Sequence, residues 1–106
     1  MKLYIRNRHH IPVATGNYDK ATNKMTVLAG SRVSKELYYG PSFRGDKKIK
    51  RLREAYTVDG VMKDDLVFTS PTVAANFVIG YSCNGHLMWR DAEGRSLKEL
   101  LTERTR

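Results

Sequence analysis

The segment covering residues 68–97 carries the strongest folding signals in this chain of 106 residues. Ser70 is placed as a helix N-cap, because its hydroxyl can accept a hydrogen bond from an unpaired N–H of the first turn. Pro71 suits the first helical position, which needs no N–H. Gly80 suits the end of the helix, where a left-handed backbone is favoured. These signals predict a short apolar helix over residues 71–79 that packs on a sheet.

Turn and cap signals continue after this helix. The Asn84-Gly85 dipeptide is typical of a tight turn, and residues 87–90 have the pattern of a short strand. That strand carries Trp89, which we expect in the core. The Ser96-Leu97-Lys98-Glu99 segment has the spacing of a capping box and predicts the start of a last helix.

The amino-terminal residues alternate between apolar and polar side chains, which is the periodicity of a strand. Residues 2–6 show this pattern, and a second strand begins around Pro12, whose missing N–H restricts it to an edge or a strand start. Residues 16–23 are rich in turn-forming side chains. A strand over residues 24–29 follows and is expected to form a hairpin with the one before the turn. Residues 34–39 fit either a short helix or an irregular segment.

A helix is predicted from about Asp46 to about Tyr56. Ile49, Leu52 and Tyr56 lie three and seven positions apart and form one apolar stripe, while basic residues occupy the remaining positions. Turns at Asp59-Gly60 and a short strand over residues 66–68 complete the pattern. Taken together, these strands, turns and helices predict a single α+β domain over residues 1–106, with a small antiparallel sheet packed against two or three helices.

Composition limits the setting in which this domain works. No apolar run approaches the roughly 20 residues that span a bilayer, and charged residues interrupt the amino-terminal segment before any apolar signal sequence. The single cysteine, Cys83, excludes an internal disulfide, in agreement with a reducing compartment. We expect a cytoplasmic protein.

The net charge of +8 is unevenly distributed. Residues 1–60 contain 13 lysines and arginines against 5 acidic residues, whereas residues 61–106 contain 6 of each. The basic residues are densest between Arg44 and Arg53. Such a concentration attracts a polyanion by displacing counterions from its phosphates, but it is equally consistent with a solvated helix face.

Motifs along most of the chain from about Tyr18 resemble those of one family. They are Val27-Leu28-Ala29-Gly30-Ser31, the basic region 47–53, the segment Phe68-Thr69-Ser70-Pro71-Thr72-Val73-Ala74-Ala75, and then Gly80, Asn84-Gly85, Trp89, Gly94 and Leu97. In this pattern the chain is similar to the family catalogued as domain of unknown function 4357, with Thr72 in place of the more usual serine. The resemblance implies no transferable catalytic residue.

The family resemblance does imply a DNA-facing context. Members often lie at the carboxyl end of longer proteins, including GIY-YIG-type nucleases and restriction-associated proteins. The chain is also more loosely similar to an accessory domain of adenine-modification systems that is proposed to read modified DNA. The nuclease part is absent from the present sequence.

Three residue groups suggest catalysis or metal binding, and each is better explained without it. His9 and His10 are adjacent and point to opposite faces if they lie in a strand, and no second cysteine pair supports zinc at Cys83 and His86. Cys83 and His86 also lack a third group that would orient a nucleophile and its base. Asp64-Asp65 diverge as sequence neighbours. We therefore expect no enzyme activity, no cofactor and no metal.

The favoured hypothesis is a non-enzymatic nucleic-acid-binding accessory module linked to DNA restriction, modification or nuclease systems. Its candidate residues are the basic helix positions Lys47, Lys48, Lys50, Arg51 and Arg53, with Arg44, Arg6 and Arg8 assisting and Tyr38 and Tyr39 as stacking side chains. The alternative is a protein-interaction module that docks a nuclease or methylase partner through an apolar patch near residues 81–87. A small hydrolase or metal enzyme is the third and least favoured hypothesis.

Overall fold

The computed structural model of the chain describes residues 1–7, 9–34, 46–80 and 83–103. Within these ranges the strands are β1 (Lys2–Arg6), β2 (Pro12–Asp19), β3 (Lys24–Val27), β4 (Thr57–Val58), β5 (Val61–Met62) and β6 (Leu66–Phe68). The helices are α1 (Asp46–Tyr56), α2 (Pro71–Ile79), α3 (Gly85–Met88) and α4 (Leu97–Glu103). None of the described helices is long and apolar enough to cross a membrane.

Two antiparallel sheets organise the described chain. The larger has the strand order β1-β2-β3-β6, and the smaller is the β4–β5 hairpin. The hairpin turns at Asp59 and Gly60, whose φ angles of 52° and 77° are both left-handed, as a tight two-residue turn requires. The predicted α+β class with an antiparallel sheet is confirmed, as are the β2–β3 hairpin and the Asp59-Gly60 turn.

The second strand is longer than the sequence indicated. Gly16 was expected to open a turn, but it lies inside β2 opposite Val27 of β3, and the turn occupies residues 20–23. A Cβ at Gly16 would lie 2.7 Å from Met25 Sδ and 2.9 Å from the Trp89 ring. The glycine is therefore a strand residue that leaves space for a neighbouring side chain.

Both ends of α2 follow the sequence signals. The Ser70 Oγ accepts a hydrogen bond of 3.2 Å from the N–H of Val73. At the other end Gly80 has a φ of 93°, and its N–H donates to the Asn76 carbonyl oxygen at 2.8 Å. The helix packs on β3 and β6 through its buried face, so its bounds and its position on the sheet are as predicted.

The segment after α2 differs from the prediction. Asn84 does not form a tight turn: its Oδ1 accepts from the N–H of His86 at 3.0 Å and caps α3, which is one turn long. The strand predicted over residues 87–90 is absent, because Leu87 and Met88 belong to this helix. Asparagine favours both N-caps and turns, so the dipeptide alone does not separate them.

Trp89 lies at the centre of the core, as expected, and is fully buried. Its indole Nε1–H donates to the Pro71 carbonyl oxygen at 2.9 Å, which satisfies the polar atom of the ring and fixes α3 against the start of α2. The capping box is also confirmed. The Ser96 Oγ accepts from the Glu99 N–H at 3.2 Å, and the Glu99 carboxylate accepts from the Ser96 N–H at 3.4 Å.

The segment after Trp89 closes the outer edge of β1. The N–H of Tyr4 donates to the Arg90 carbonyl oxygen at 2.7 Å, and the N–H of Arg90 donates back to the Tyr4 carbonyl oxygen at 2.9 Å. The first strand of the sheet is therefore held on both sides by later parts of the chain.

Candidate nucleic-acid interface

The basic helix α1 turns its predicted apolar stripe inward. Ile49 is buried, and Leu52 and Tyr56 are half-buried against the core. Four cations occupy exposed positions on the same helix: Lys47, Lys48, Lys50 and Arg51. At about 100° per residue they cover much of the solvent-facing side of the helix. This arrangement presents positive charge to solvent over its first two turns.

Three of these four cations lack an acidic partner within the part of the chain that the structure describes. Lys48, Lys50 and Arg51 form no ion pair with any described residue. The ion pairs that the structure shows belong to Arg95 instead, whose guanidinium lies 2.8 Å from the Asp91 carboxylate and 3.9 Å from that of Glu93. Within the described ranges, these three side chains of α1 are therefore not held in ion pairs.

Arg53, which was also predicted to contact phosphate, does not belong to this exposed surface. It is only 9% exposed. Its Nε and Nη2 donate to the Phe77 carbonyl oxygen at 2.9 and 2.7 Å, and its Nη1 donates to the Ser34 carbonyl oxygen at 2.9 Å. A further bond of 3.2 Å reaches the Val78 carbonyl oxygen.

These contacts give Arg53 a structural role at the end of α2. The last carbonyl groups of a helix have no partner within the helix and carry its partial negative charge, which a cation stabilises. A signal for this role was present in the sequence. Arg53 lies four positions after Ile49 and three before Tyr56, which places it inside the apolar stripe of the helix.

Arg6 is partly engaged in contacts within the protein. Its Nη2 donates to the Asp91 carbonyl oxygen at 3.0 Å, and its guanidinium carbon lies 5.6 Å from the centre of the Tyr4 ring. Its Nη1 is buried and has no hydrogen-bond partner among the described residues. Arg6 is thus anchored through its Nη2, while the N–H donors of its Nη1 are unused within the described chain.

Four predicted site residues lie outside the described residues, and their roles stay predictions. They are Arg8, Tyr38, Tyr39 and Arg44. Of the histidines considered as ligands, His9 and His10 are both exposed. The described residues contain no group of three or more histidine, cysteine, aspartate or glutamate side chains able to hold a metal ion.

Cys83 lies in a setting that disfavours the thiolate. Its N–H and its Sγ–H both donate to the Asn76 Oδ1, at 3.0 and 3.2 Å. Burial raises the pKa of this thiol to about 11. Since a nucleophilic cysteine needs a lowered pKa, this environment does not activate it.

We expect Cys83 to react slowly with iodoacetamide at pH 8. A pKa of about 11 leaves far less thiolate than an ordinary cysteine has, so alkylation of the folded protein should be on the order of 100-fold slower than that of free cysteine. Mass spectrometry at timed intervals measures the rate, and the urea-unfolded protein serves as the control. Equal rates in the folded and unfolded protein would contradict the raised pKa.

Comparison with models of known protein families identifies the family of this chain. The model described as Domain of unknown function (DUF4357) matches residues 7–101. The chain belongs to this family. No curated protein and no solved structure gives a significant match.

Several of the motif residues that resemble DUF4357 have structural roles in this chain. Ser70 and Gly80 cap α2, and Trp89 and Leu97 are fully buried. Gly85 lies where α3 approaches α2: a Cβ there would be 2.5 Å from backbone atoms of Pro71 and Thr72. These motif residues mark the packing of the domain, whereas the basic region 47–53 of the same motif carries the exposed cations of α1.

Proposed function

We propose that this domain is a non-enzymatic nucleic-acid-binding accessory module of DNA restriction, modification or nuclease systems. The observation that carries the proposal is the exposed cationic side of α1, on which Lys48, Lys50 and Arg51 have no acidic partner among the described residues. Lysine and arginine contacts to phosphates release counterions and supply affinity for any sequence. Contacts of this kind position a protein without selecting bases.

The length of the helix suits a backbone contact. Its 11 residues extend over about 16 Å at 1.5 Å per residue, and duplex DNA carries about one charge per 1.7 Å of its axis. Lys47 and Arg51 are one helical turn apart and so project from the same side. A few phosphates therefore lie within reach of this surface, and Arg53, which is committed to α2, is excluded from it.

The direct test is fluorescence anisotropy with a labelled DNA duplex over a series of salt concentrations. We expect affinity to fall steeply as salt rises, with a slope of the logarithmic plot near −0.9 for each phosphate contact. A scrambled duplex of the same length should bind equally well, because the contacts read no bases. Absence of binding at low salt would remove the proposal.

A matched pair of triple variants locates the interface. Changing Lys47, Lys48 and Arg51 to glutamine should weaken binding at low salt and reduce the magnitude of the salt slope by about 2–3, since each lost phosphate contact contributes about one. The control changes the exposed residues Lys2, Lys24 and Lys98 to glutamine and removes the same net charge from the sheet and α4. Its slope should remain that of the unmodified protein.

Equal weakening in the two variants would show that net charge alone drives binding, and would contradict an interface on α1. Circular dichroism of both variants establishes that each remains folded before their binding is compared.

A second candidate function is docking to a nuclease or methylase partner. Two apolar side chains on neighbouring helices support it: Val73 on α2 is 37% exposed and Leu87 on α3 is 42% exposed. Mixing the domain with a purified nuclease or methylase encoded by an adjacent gene tests this function. Docking predicts a complex that survives high salt, is lost on Leu87→Ser, and persists in the α1 triple variant.

A further inference from the structure

A cleft with a volume of about 670 Å³ opens on the side of the sheet where β1, β2, the β4–β5 turn, α2 and α3 meet. Small-molecule sites commonly have volumes of about 300–1,000 Å³ and mostly apolar walls. The apolar wall here is formed by Ile5, Val13, Val33, Val78, Ile79 and Met88. This arginine cleft, named for Arg6 and Arg32 on its lining, has the size and the wall of a ligand site.

Backbone hydrogen bonds hold the walls of the arginine cleft in place. The N–H of Arg32 donates to the Val13 carbonyl oxygen at 2.7 Å, and that of Val33 donates to the Gly60 carbonyl oxygen at 2.8 Å. The N–H of Ser34 donates to the Val78 carbonyl oxygen at 2.8 Å. The cleft is therefore preformed by links from residues 32–34 to three other parts of the chain.

The charge on the lining favours an anion. Arg6 and Arg32 contribute two positive charges, against one negative charge from the exposed Asp59. The guanidinium of Arg32 forms no hydrogen bond or ion pair with a described residue, and Arg6 has the buried Nη1 without a partner. Unused guanidinium donors are suited to carboxylate or phosphate oxygens.

The carboxyl end of α2 also borders the cleft, and its carbonyl groups would oppose an anion if they were uncovered. They are covered. Arg53 donates to the carbonyl oxygens of Phe77 and Val78, and the Ser34 hydroxyl donates to that of Ile79. Arg53 thus offsets the partial negative charge of this helix end beside the cleft.

We propose that the arginine cleft binds a small organic anion, with a phosphate or carboxylate group paired to Arg32 near Arg6 and an apolar or aromatic body against the valine and isoleucine wall. This site is independent of the exposed side of α1 and goes beyond the phosphate-backbone binding proposed above. The same chemistry is present in a free aromatic phosphate and in a single nucleotide.

Titrations followed by ¹⁵N-resolved NMR test this site with four probes: phenyl phosphate, thymidine 5′-monophosphate, inorganic phosphate and phenol. We expect saturable shifts at the amides of Val33, Gly60 and Ile79 with the two probes that combine a ring and a phosphate. Inorganic phosphate and phenol should bind at least tenfold more weakly. If thymidine 5′-monophosphate binds ten times more tightly than phenyl phosphate, the natural ligand is a nucleotide. If the two probes bind equally, the natural ligand is a free organic anion.

Variants separate this site from the interface on α1. Arg32→Gln removes an exposed guanidinium that has no partner in the described chain, so the fold should persist while affinity for phenyl phosphate falls at least tenfold. Lys24→Gln, which removes an exposed charge from β3, and the α1 triple variant should both bind phenyl phosphate as the unmodified protein does. The proposal is overturned if Arg32→Gln binds normally, if inorganic phosphate binds as tightly as phenyl phosphate, or if the shifts map to α1.

Discussion

Replacing Trp89 with alanine is expected to destabilise the domain by about 3–5 kcal/mol, the usual cost of deleting a large aromatic side chain from a core. Trp89 is fully buried and lies between the sheet at Gly16 and the start of α2 at Pro71. Small domains have free energies of unfolding of about 5–15 kcal/mol, so this substitution removes a large fraction of the stability. Urea unfolding followed by far-ultraviolet circular dichroism measures the loss, since the variant lacks the only tryptophan.

A phenylalanine variant at the same position separates packing from hydrogen bonding. Trp89→Phe keeps most of the apolar volume but leaves the Pro71 carbonyl oxygen without its indole donor, which costs about 1–3 kcal/mol for a buried group. We expect a loss clearly smaller than that of the alanine variant. A loss below about 1 kcal/mol for Trp89→Ala would contradict the central position of this side chain.

Gly85→Ala should lower the free energy of unfolding by about 3 kcal/mol, which is the upper end of the usual cost of overpacking a core. The added Cβ would lie 2.5 Å from the carbonyl carbon and oxygen of Pro71 and from the Cα of Thr72. These are backbone atoms, so no side chain can rotate away and α3 must separate from α2. Chemical denaturation measures the loss of stability.

Two other glycines supply the control for this substitution. Gly30 and Gly94 have φ angles of 88° and 86°, and a Cβ at either would meet no atom within 4 Å. Alanine there costs only the strain of a left-handed backbone, about 1–2 kcal/mol. Similar losses for Gly85→Ala and Gly94→Ala would show that helix contact is not what requires Gly85.

The parts of the fold that could be predicted from the sequence are those governed by neighbours along the chain. Ser70 and Gly80 cap α2 through bonds within three or four residues, and the Ser96–Glu99 box works over the same distance. Alternation of side chains located β1, and the spacing of apolar residues gave the bounds of α1. These signals depend only on residues that are near one another in the sequence, so they can be interpreted without knowing the tertiary contacts.

The errors arise where a distant partner decides the structure. The turn-rich composition of residues 16–23 predicts a turn there, but Gly16 lies inside β2, where Met25 and Trp89 occupy the space that a Cβ would need. The Asn84-Gly85 dipeptide carries a turn signal, but Asn84 caps α3 and Gly85 packs closely against α2. Both glycines lie against atoms of another segment of the chain.

Some features of the candidate site also follow from local sequence, whereas others depend on contacts between distant segments. Exposure of Lys47, Lys48, Lys50 and Arg51 follows from helical periodicity, and the structure agrees. The inward position of Arg53 follows from the same periodicity, but its partners at the end of α2 do not, because the sequence does not place that end beside α1. The arginine cleft is assembled from segments that are distant in sequence, so no single motif indicates it.

The pairing of Tyr4 with Arg90 has a consequence for synthesis on the ribosome. The amino-terminal hairpin emerges first, with the outer hydrogen-bonding groups of β1 unpaired and able to join strands of other chains. It stays in that state until the segment around Arg90 has left the exit tunnel. A nascent chain that stalls before this point exposes an unpaired strand edge, which is the kind of edge that promotes aggregation.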